Sequence, residues 1–346
     1  MAKKVIKVLI RIIAVLLAFV LLNLLFIPKY IEKNQDGRLT AEYYREKTPI
    51  DVIFVGSSTV EAGISPMVLY RDYGITAYDR SNASQVIQLS YYLIEEAIKR
   101  NKPELVVLEV GFIYPDADYV DEGASRKSLD YMKWSKSKVD CINAMMGEQE
   151  HFIDYVFPIL RFHSRWNDLT TEDLKYWVYK PSVTLNGQLL AFDGLDGADI
   201  TYDPYGLEAG QLACEQNISY LQKVCDVCKE NDVQLMLIKL PLVRGNWNHE
   251  IDAQVADVAS KNGVNYVNYI DEFDSIGLDA KNDYGDNQHM NYYGAEKFTT
   301  ILGSYIRENY TVSDRSNDAK VKKVFDKKLD NYNTLAQNKV PGFIKK

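Results

Sequence analysis

The chain is expected to fold as an α/β protein: a three-layer α/β/α domain around a five-stranded parallel sheet, with an N-terminal transmembrane helix and a cap-like insertion. Three observations lead there. Short apolar runs bounded by turn residues alternate with helix-length amphipathic stretches, the mark of βαβ crossovers. A long uncharged apolar stretch stands at the N-terminus, and a long polar-aromatic stretch in the middle breaks the alternation.

The first apolar run, 51–55, ends at Gly56-Ser57-Ser58 and reads as a buried strand. A weaker run lies at 75–79, and further runs lie at 105–108, 233–238 and 264–270. Helix-like stretches cover 85–100, 212–231 and 252–261. A closing helix is expected over 292–308, where Ala295, Phe298, Ile301, Leu302, Tyr305 and Ile306 fall at helical spacing. Five strands with helices on both faces make a sheet of the flavodoxin-like type. The α/β domain is expected over 49–114 and 211–310, and 115–210 is read as an insertion packed as a cap. The charged tail 311–346 carries one helix-like segment, 319–329, and is expected to be peripheral.

Composition narrows the function. Hydrophobic residues make up 47% and charged residues 25% of the 346, ordinary values for a folded chain, so wholesale disorder is excluded. A net charge of -8 argues against nucleic-acid binding through phosphate neutralisation. Four cysteines exclude a disulfide-stapled small fold, and four histidines leave few choices for a His-based site.

Residues 8–27 form an apolar run of the length that crosses a ~30 Å hydrocarbon core at about 1.5 Å per residue, provided Arg11 snorkels. A cleaved signal peptide or a buried core helix are the alternatives. The run ends Leu24-Leu25-Phe26-Ile27-Pro28 without the small residues of a cleavage site, so an uncleaved anchor over 1–30 is expected, followed by a polar connector at 31–48. Lys3, Lys4, Lys7 and Arg11 precede the uncharged part of the run, 12–27, which places the N-terminus in the cytoplasm and the remaining domain outside it. An inverted anchor is the rival topology. The chain contains no nucleotide-binding glycine motif, and no cofactor or metal is expected. Hydrolysis or group transfer is therefore favoured.

Ligands of open α/β sheets sit beyond the carboxyl ends of the strands. Ser58 lies there after the first strand; Asp286 and His289 lie in the long loop after the last. A serine hydroxyl needs a base to take its proton, and the base needs a carboxylate on its other nitrogen. Asp286 and His289 are three residues apart, so one tight turn can join them. Taken singly, Gly-Ser-Ser reads as an ordinary strand-to-helix turn and D-x-x-H as surface polar residues. Together, on the first and last crossovers of one domain, they point to a Ser-His-Asp triad.

Val55-Gly56-Ser57-Ser58-Thr59 resembles the first block of the SGNH/GDSL hydrolases, whose nucleophile is the third residue of Gly-Asp-Ser. Asp286-Asn287-Gln288-His289, followed by Met290-Asn291-Tyr292-Tyr293-Gly294, resembles their last block. The likeness covers roughly 50–112 and 211–308 plus the anchor. It is nearest to the membrane-anchored branch: the DltD-type proteins of teichoic-acid D-alanylation and the AlgJ/AlgX-type proteins of polysaccharide O-acetylation. The resemblance implies an SGNH sheet with Ser58 as nucleophile, His289 as base and Asp286 as its partner. It implies an extracytoplasmic serine esterase or O-acyltransferase that moves acetyl or D-alanyl groups on envelope polysaccharide or teichoic acid. It also implies a multi-pass membrane-bound O-acyltransferase as partner. Two departures stand out. Gly-Asp-Ser is Gly-Ser-Ser, and Glu109-Val110-Gly111-Phe112 stands where the family's oxyanion asparagine would be. The backbone N–H of Ser58 and the side chain of Asn82 are the candidate oxyanion donors, though Asn82 reads equally as a turn residue. The altered third block also motivates a rival reading, a non-catalytic glycan-binding module.

Other features are weaker. Cys225 and Cys228 form a C-x-x-C late in an expected helix, the wrong end for a redox motif. Arg165 and Trp166 are candidates to meet an anionic group and stack on a sugar, against a packed cap–core junction. Lys239 and Arg244, beyond the fourth strand, are candidates to hold phosphate or carboxylate, against a solvated rim.

Overall fold

The computed structural model describes residues 2–28, 36–113, 115–116, 122–178, 185–195 and 200–340. The sheet holds five strands: β1 (Val52–Val55), β2 (Ala77–Asp79), β3 (Leu105–Glu109), β4 (Gln234–Lys239) and β5 (Asn265–Asn268). All pairs are parallel, in the order β2-β1-β3-β4-β5. Val52 stands opposite both Ala77 and Leu105, and Leu105 opposite Gln234. This is the flavodoxin-like order, whose switch point lies between β1 and β3.

Every residue of β1, β2 and β3 is buried, as expected for a parallel sheet covered on both faces. Ile53, Val55, Val106 and Leu108 pack with Ile94, Leu221 and Val255 of helices Ile87–Asn101, Glu215–Glu230 and His249–Asn262. Val52, Phe54 and Val107 pack with Leu69 of Pro66–Tyr73 and with Phe298, Leu302 and Ile306 of Tyr292–Asn309. The three layers of the expected α/β/α fold are therefore present. Helix His249–Asn262 begins earlier than its apolar pattern suggests, because Asn248 caps it by accepting from the Ile251 N–H at 2.9 Å.

Residues 122–178 are mostly helical. Leu129, Met132, Cys141 and Ile142 pack against Leu89 and Leu93 of helix Ile87–Asn101. An arm, 185–195, then crosses toward the carboxyl ends of the strands. It is tied down by Asp79 N–H to the Asn186 carbonyl (2.9 Å), Leu189 N–H to Glu61 (2.9 Å) and Tyr292 N–H to Ala191 (2.7 Å). Gly187, at φ 101°, passes so close to β2 that a Cβ would lie 2.3 Å from the Asp79 carbonyl oxygen.

Two segments need comment. Helix Ala2–Phe26 is long and apolar enough over Lys3–Phe26 to cross a membrane. Its last turns rest on residues 157–159: the Phe19 and Phe157 rings are 5.1 Å apart, and Asn23 Oδ1 accepts from the Ile159 N–H at 3.1 Å. The tail is not peripheral. Helix Ala319–Gln337 buries Val321, Phe325 and Tyr332 against Met67, Val68 and Tyr70, and Arg315 pairs with both oxygens of Asp51 at 2.7 and 2.8 Å. The polar run after 329 hides this stripe in the sequence. The expected anchor–connector boundary at 29–35, parts of the expected cap (117–121, 179–184, 196–199) and 341–346 lie outside the described residues.

Candidate active site

The turn after β1 is built for close approach. A Cβ on Gly56 would lie 2.5 Å from Val60 Cγ2 and 2.9 Å from Glu109 Cβ, so the chain passes between its own helix and β3 only as glycine. Ser57 is buried and caps helix Ser58–Gly63; its Oγ accepts from the Thr59 N–H at 3.4 Å and lies 3.0 Å from Thr59 Oγ1. Ser58 is thereby left as the first helical residue, half-buried and lining a cavity. Its N–H has no intrahelical acceptor.

The loop after β5 is held at both ends. The Asn291 N–H donates to the Asp283 carbonyl, Asn291 Nδ2 donates to the Asn282 and Asp193 carbonyls, and buried Tyr284 donates through Oη to Pro241 at 2.8 Å. Between these ties, Asp286 Oδ1 accepts from the N–H groups of Gln288 (2.8 Å) and His289 (2.9 Å). The same carboxylate lies 2.8–2.9 Å from His289 Nδ1, and His289 Nε2 lies 2.7 Å from Ser58 Oγ. Partial burial pushes the Asp286 carboxyl up. The hydrogen bond and charge of the His289 ring, with the two backbone donors, outweigh it and hold the group at about 2. An ionised Asp286 favours the tautomer with the proton on Nδ1, which leaves Nε2 to accept from Ser58.

The cavity over Ser58 measures about 390 Å³. Its apolar wall is Ala62, Leu189, Leu190, Ala191 and Met290; its carboxylates are Glu61, Asp193 and Asp286. None of the described lining residues is Lys or Arg.

Several expected site residues are placed elsewhere. Asn82 is not a free donor: it is buried, and its Nδ2 donates to Ser128 Oγ at 2.5 Å and toward Thr40 Oγ1 at 3.5 Å. Its neighbour Ala83 lines the cavity instead. Lys239 is not a rim cation. Both it and Glu109 are buried, with Nζ 3.5 Å from Glu109 Oε1 and 3.0 Å from the Leu240 carbonyl, and burial pushes the ammonium down despite Glu109. Arg165 is spent on the Phe26 carbonyl (2.6 Å) and on Asp173 (3.2 Å), at the end of the N-terminal helix. Trp166, 68% exposed, stands beside it and not among the residues lining the Ser58 cavity. Arg244 is exposed next to the loop, its N–H donating to the Asn287 carbonyl at 3.0 Å.

Cys225 and Cys228 are buried in helix Glu215–Glu230, and burial pushes their thiols to about 11 and about 12. The cavity wall from 189 to 193 has no motif in the sequence. Its one signal is Asn186-Gly187, a hairpin-turn pair, both at positive φ between bridged Leu185 and Gln188.

No protein-family model matches the chain. No curated protein matches it. Among solved structures, a GDSL-like lipase from Bacteroides thetaiotaomicron is similar at 12% identity and a TM-score of 0.37, covering 79% of this chain and 97% of that one. A family 3 carbohydrate esterase from Clostridium thermocellum is similar at 12% identity and 0.36, covering 75% and 96%. A catalytic mutant of an acetylxylan esterase from Geobacillus stearothermophilus is similar at 11% identity and 0.36, covering 76% and 96%.

Proposed function

We propose that this chain is a membrane-anchored serine esterase or O-acyltransferase of the SGNH/GDSL type. Its substrates would be ester-linked acetyl or D-alanyl groups of an envelope polysaccharide or teichoic acid. The observation that carries the proposal is the unbroken hydrogen-bonded line Asp286–His289–Ser58. Ser58 Oγ attacks the ester carbonyl carbon while His289 Nε2 takes its proton. The carbon–oxygen bond to the leaving alcohol breaks, and that proton passes to the alcohol. A water or an acceptor hydroxyl, deprotonated in turn by His289, then attacks the acyl-Ser58 ester and releases the serine. Asp286 holds the imidazole and offsets its charge. The oxyanion forms against the Ser58 N–H.

The basic residues Lys3, Lys4, Lys7 and Arg11 in the first turns of helix Ala2–Phe26 favour a cytoplasmic N-terminus and an extracytoplasmic catalytic domain. In this reading a multi-pass membrane-bound O-acyltransferase supplies the acyl group. The engagement of Asn82 by Ser128 favours a second reading, a non-catalytic glycan-binding module, because it removes one expected oxyanion donor.

Fluorophosphonate labelling of the full chain in detergent, read by intact mass, tests the choice. One adduct on the wild type, absent from Ser58→Ala and His289→Ala, is the expected result. A folded wild-type protein that takes no adduct would overturn the catalytic reading.

A further inference from the structure

A second cavity, of about 650 Å³, lies away from the triad, where the N-terminal helix meets the insertion. One wall is the end of that helix and the residue after it, including Phe19, Leu24 and Ile27. The facing wall includes Met132, Trp134 and Phe157. We infer that this groove holds an acyl chain of a membrane phospholipid.

Three observations support that occupant. First, one wall is itself the end of the apolar span, so the groove runs on directly into the hydrocarbon around that helix. Water filling it would face mostly carbon; a lipid tail needs no other partner. Second, exposed large apolar side chains are concentrated in the stretch of chain that supplies much of its facing wall. Outside the N-terminal helix ten are exposed among the described residues, and six of them (Trp134, Ile153, Leu160, Trp166, Leu174 and Val178) belong to the 134–178 stretch. Such a concentration beside a membrane helix fits an interfacial surface with tryptophans at headgroup depth. Third, the charge at the groove suits a phosphate. Asp130 is engaged by Arg126 at 3.3 Å, and Lys138 Nζ donates to the Met132 carbonyl at 2.9 Å. Lys133 is exposed, its ammonium 5.1 Å above the Tyr44 ring and in reach of a headgroup.

The inference rests on reading helix Ala2–Phe26 as a membrane span, and the test separates the two. The full chain is reconstituted in phosphatidylcholine–phosphatidylglycerol vesicles doped with a phospholipid bearing a diazirine on its acyl chain. It is then irradiated and mapped by peptide mass spectrometry. Adducts are expected on the N-terminal helix and also on peptides around Met132, Trp134 and Phe157. Ala41→Trp, which fills the groove from its lining, should abolish the second set. It should spare adducts on residues 3–18 and fluorophosphonate labelling of Ser58. Leu24→Trp, at an exposed lining position, replaces it should Ala41→Trp fail to fold. Adducts confined to the helix, or insertion adducts that survive both substitutions, overturn the groove. A helix that takes no adduct overturns the span and the groove with it, whatever Ser58 does.

Discussion

His289 Nε2 lies 2.7 Å from Ser58 Oγ although 231 residues separate them in the chain. The sheet order makes this contact. Ser58 follows β1, next to the switch point, and the loop bearing His289 is drawn over the end of β4 by Tyr284 and Arg244. The serine and its base thus come from opposite ends of the domain onto one edge of one sheet.

The neighbouring serines should separate cleanly. Ser57→Ala loses a buried N-cap and should cost about 1 kcal/mol of stability in urea denaturation. It should still take the fluorophosphonate adduct. Ser58→Ala should keep its stability and take none. The reverse pattern would move the nucleophile to Ser57.

Asp286→Asn should lower turnover of an activated acetyl ester by about 10⁴-fold through the wrong imidazole tautomer. Stability should change little near neutrality, because Asp286 is exposed and its charge is screened. The sign of the pH effect follows from the lowered value. A carboxyl at about 2 in the folded protein, below its usual range near 4, contributes stability above pH 4 that is lost as pH falls toward 2. Denaturation midpoints of wild type and Asp286→Asn should therefore converge across that window. A gap that widens on acidification would contradict the assignment.

Lys239→Met should destabilise the protein by about 3–5 kcal/mol, because it strands buried Glu109 without its partner. A double Lys239→Met, Glu109→Leu variant should recover much of the loss. Urea denaturation of all three proteins checks this. A Lys239→Met protein of unchanged stability but raised KM would return Lys239 to the role of an anion-binding cation.

Phe325→Ala should cost about 3–5 kcal/mol, since the ring is fully buried and packs, tilted, against Tyr70 at 4.4 Å between centroids. An effect below about 0.5 kcal/mol, the usual surface value, would show the tail helix to be peripheral after all.

Local pattern was enough for much of this molecule. Alternating apolar runs and helical stretches foretell the five strands and the helices on both faces, because burial on two sides of a parallel sheet leaves a continuous apolar signature. Asp286 and His289 are legible as a pair because a three-residue spacing closes in one turn. The tail helix was legible only in part, since Tyr332 stands in a polar run and its burial depends on a distant partner, Glu296, 2.6 Å from its hydroxyl.

Residue type and spacing determined the fold class, the apolar N-terminal helix and the candidate triad, all of which rest on near-neighbour periodicity or on motifs at strand ends. Tertiary structure alone decided which polar groups are free. Asn82, Lys239 and Arg165 carry the right chemistry for binding, yet each is consumed by a partner far away in the chain: Ser128, Glu109 and Phe26. Only folding decides whether a donor faces substrate or a buried acceptor, because a buried polar group takes whatever partner packing brings within about 3 Å of it.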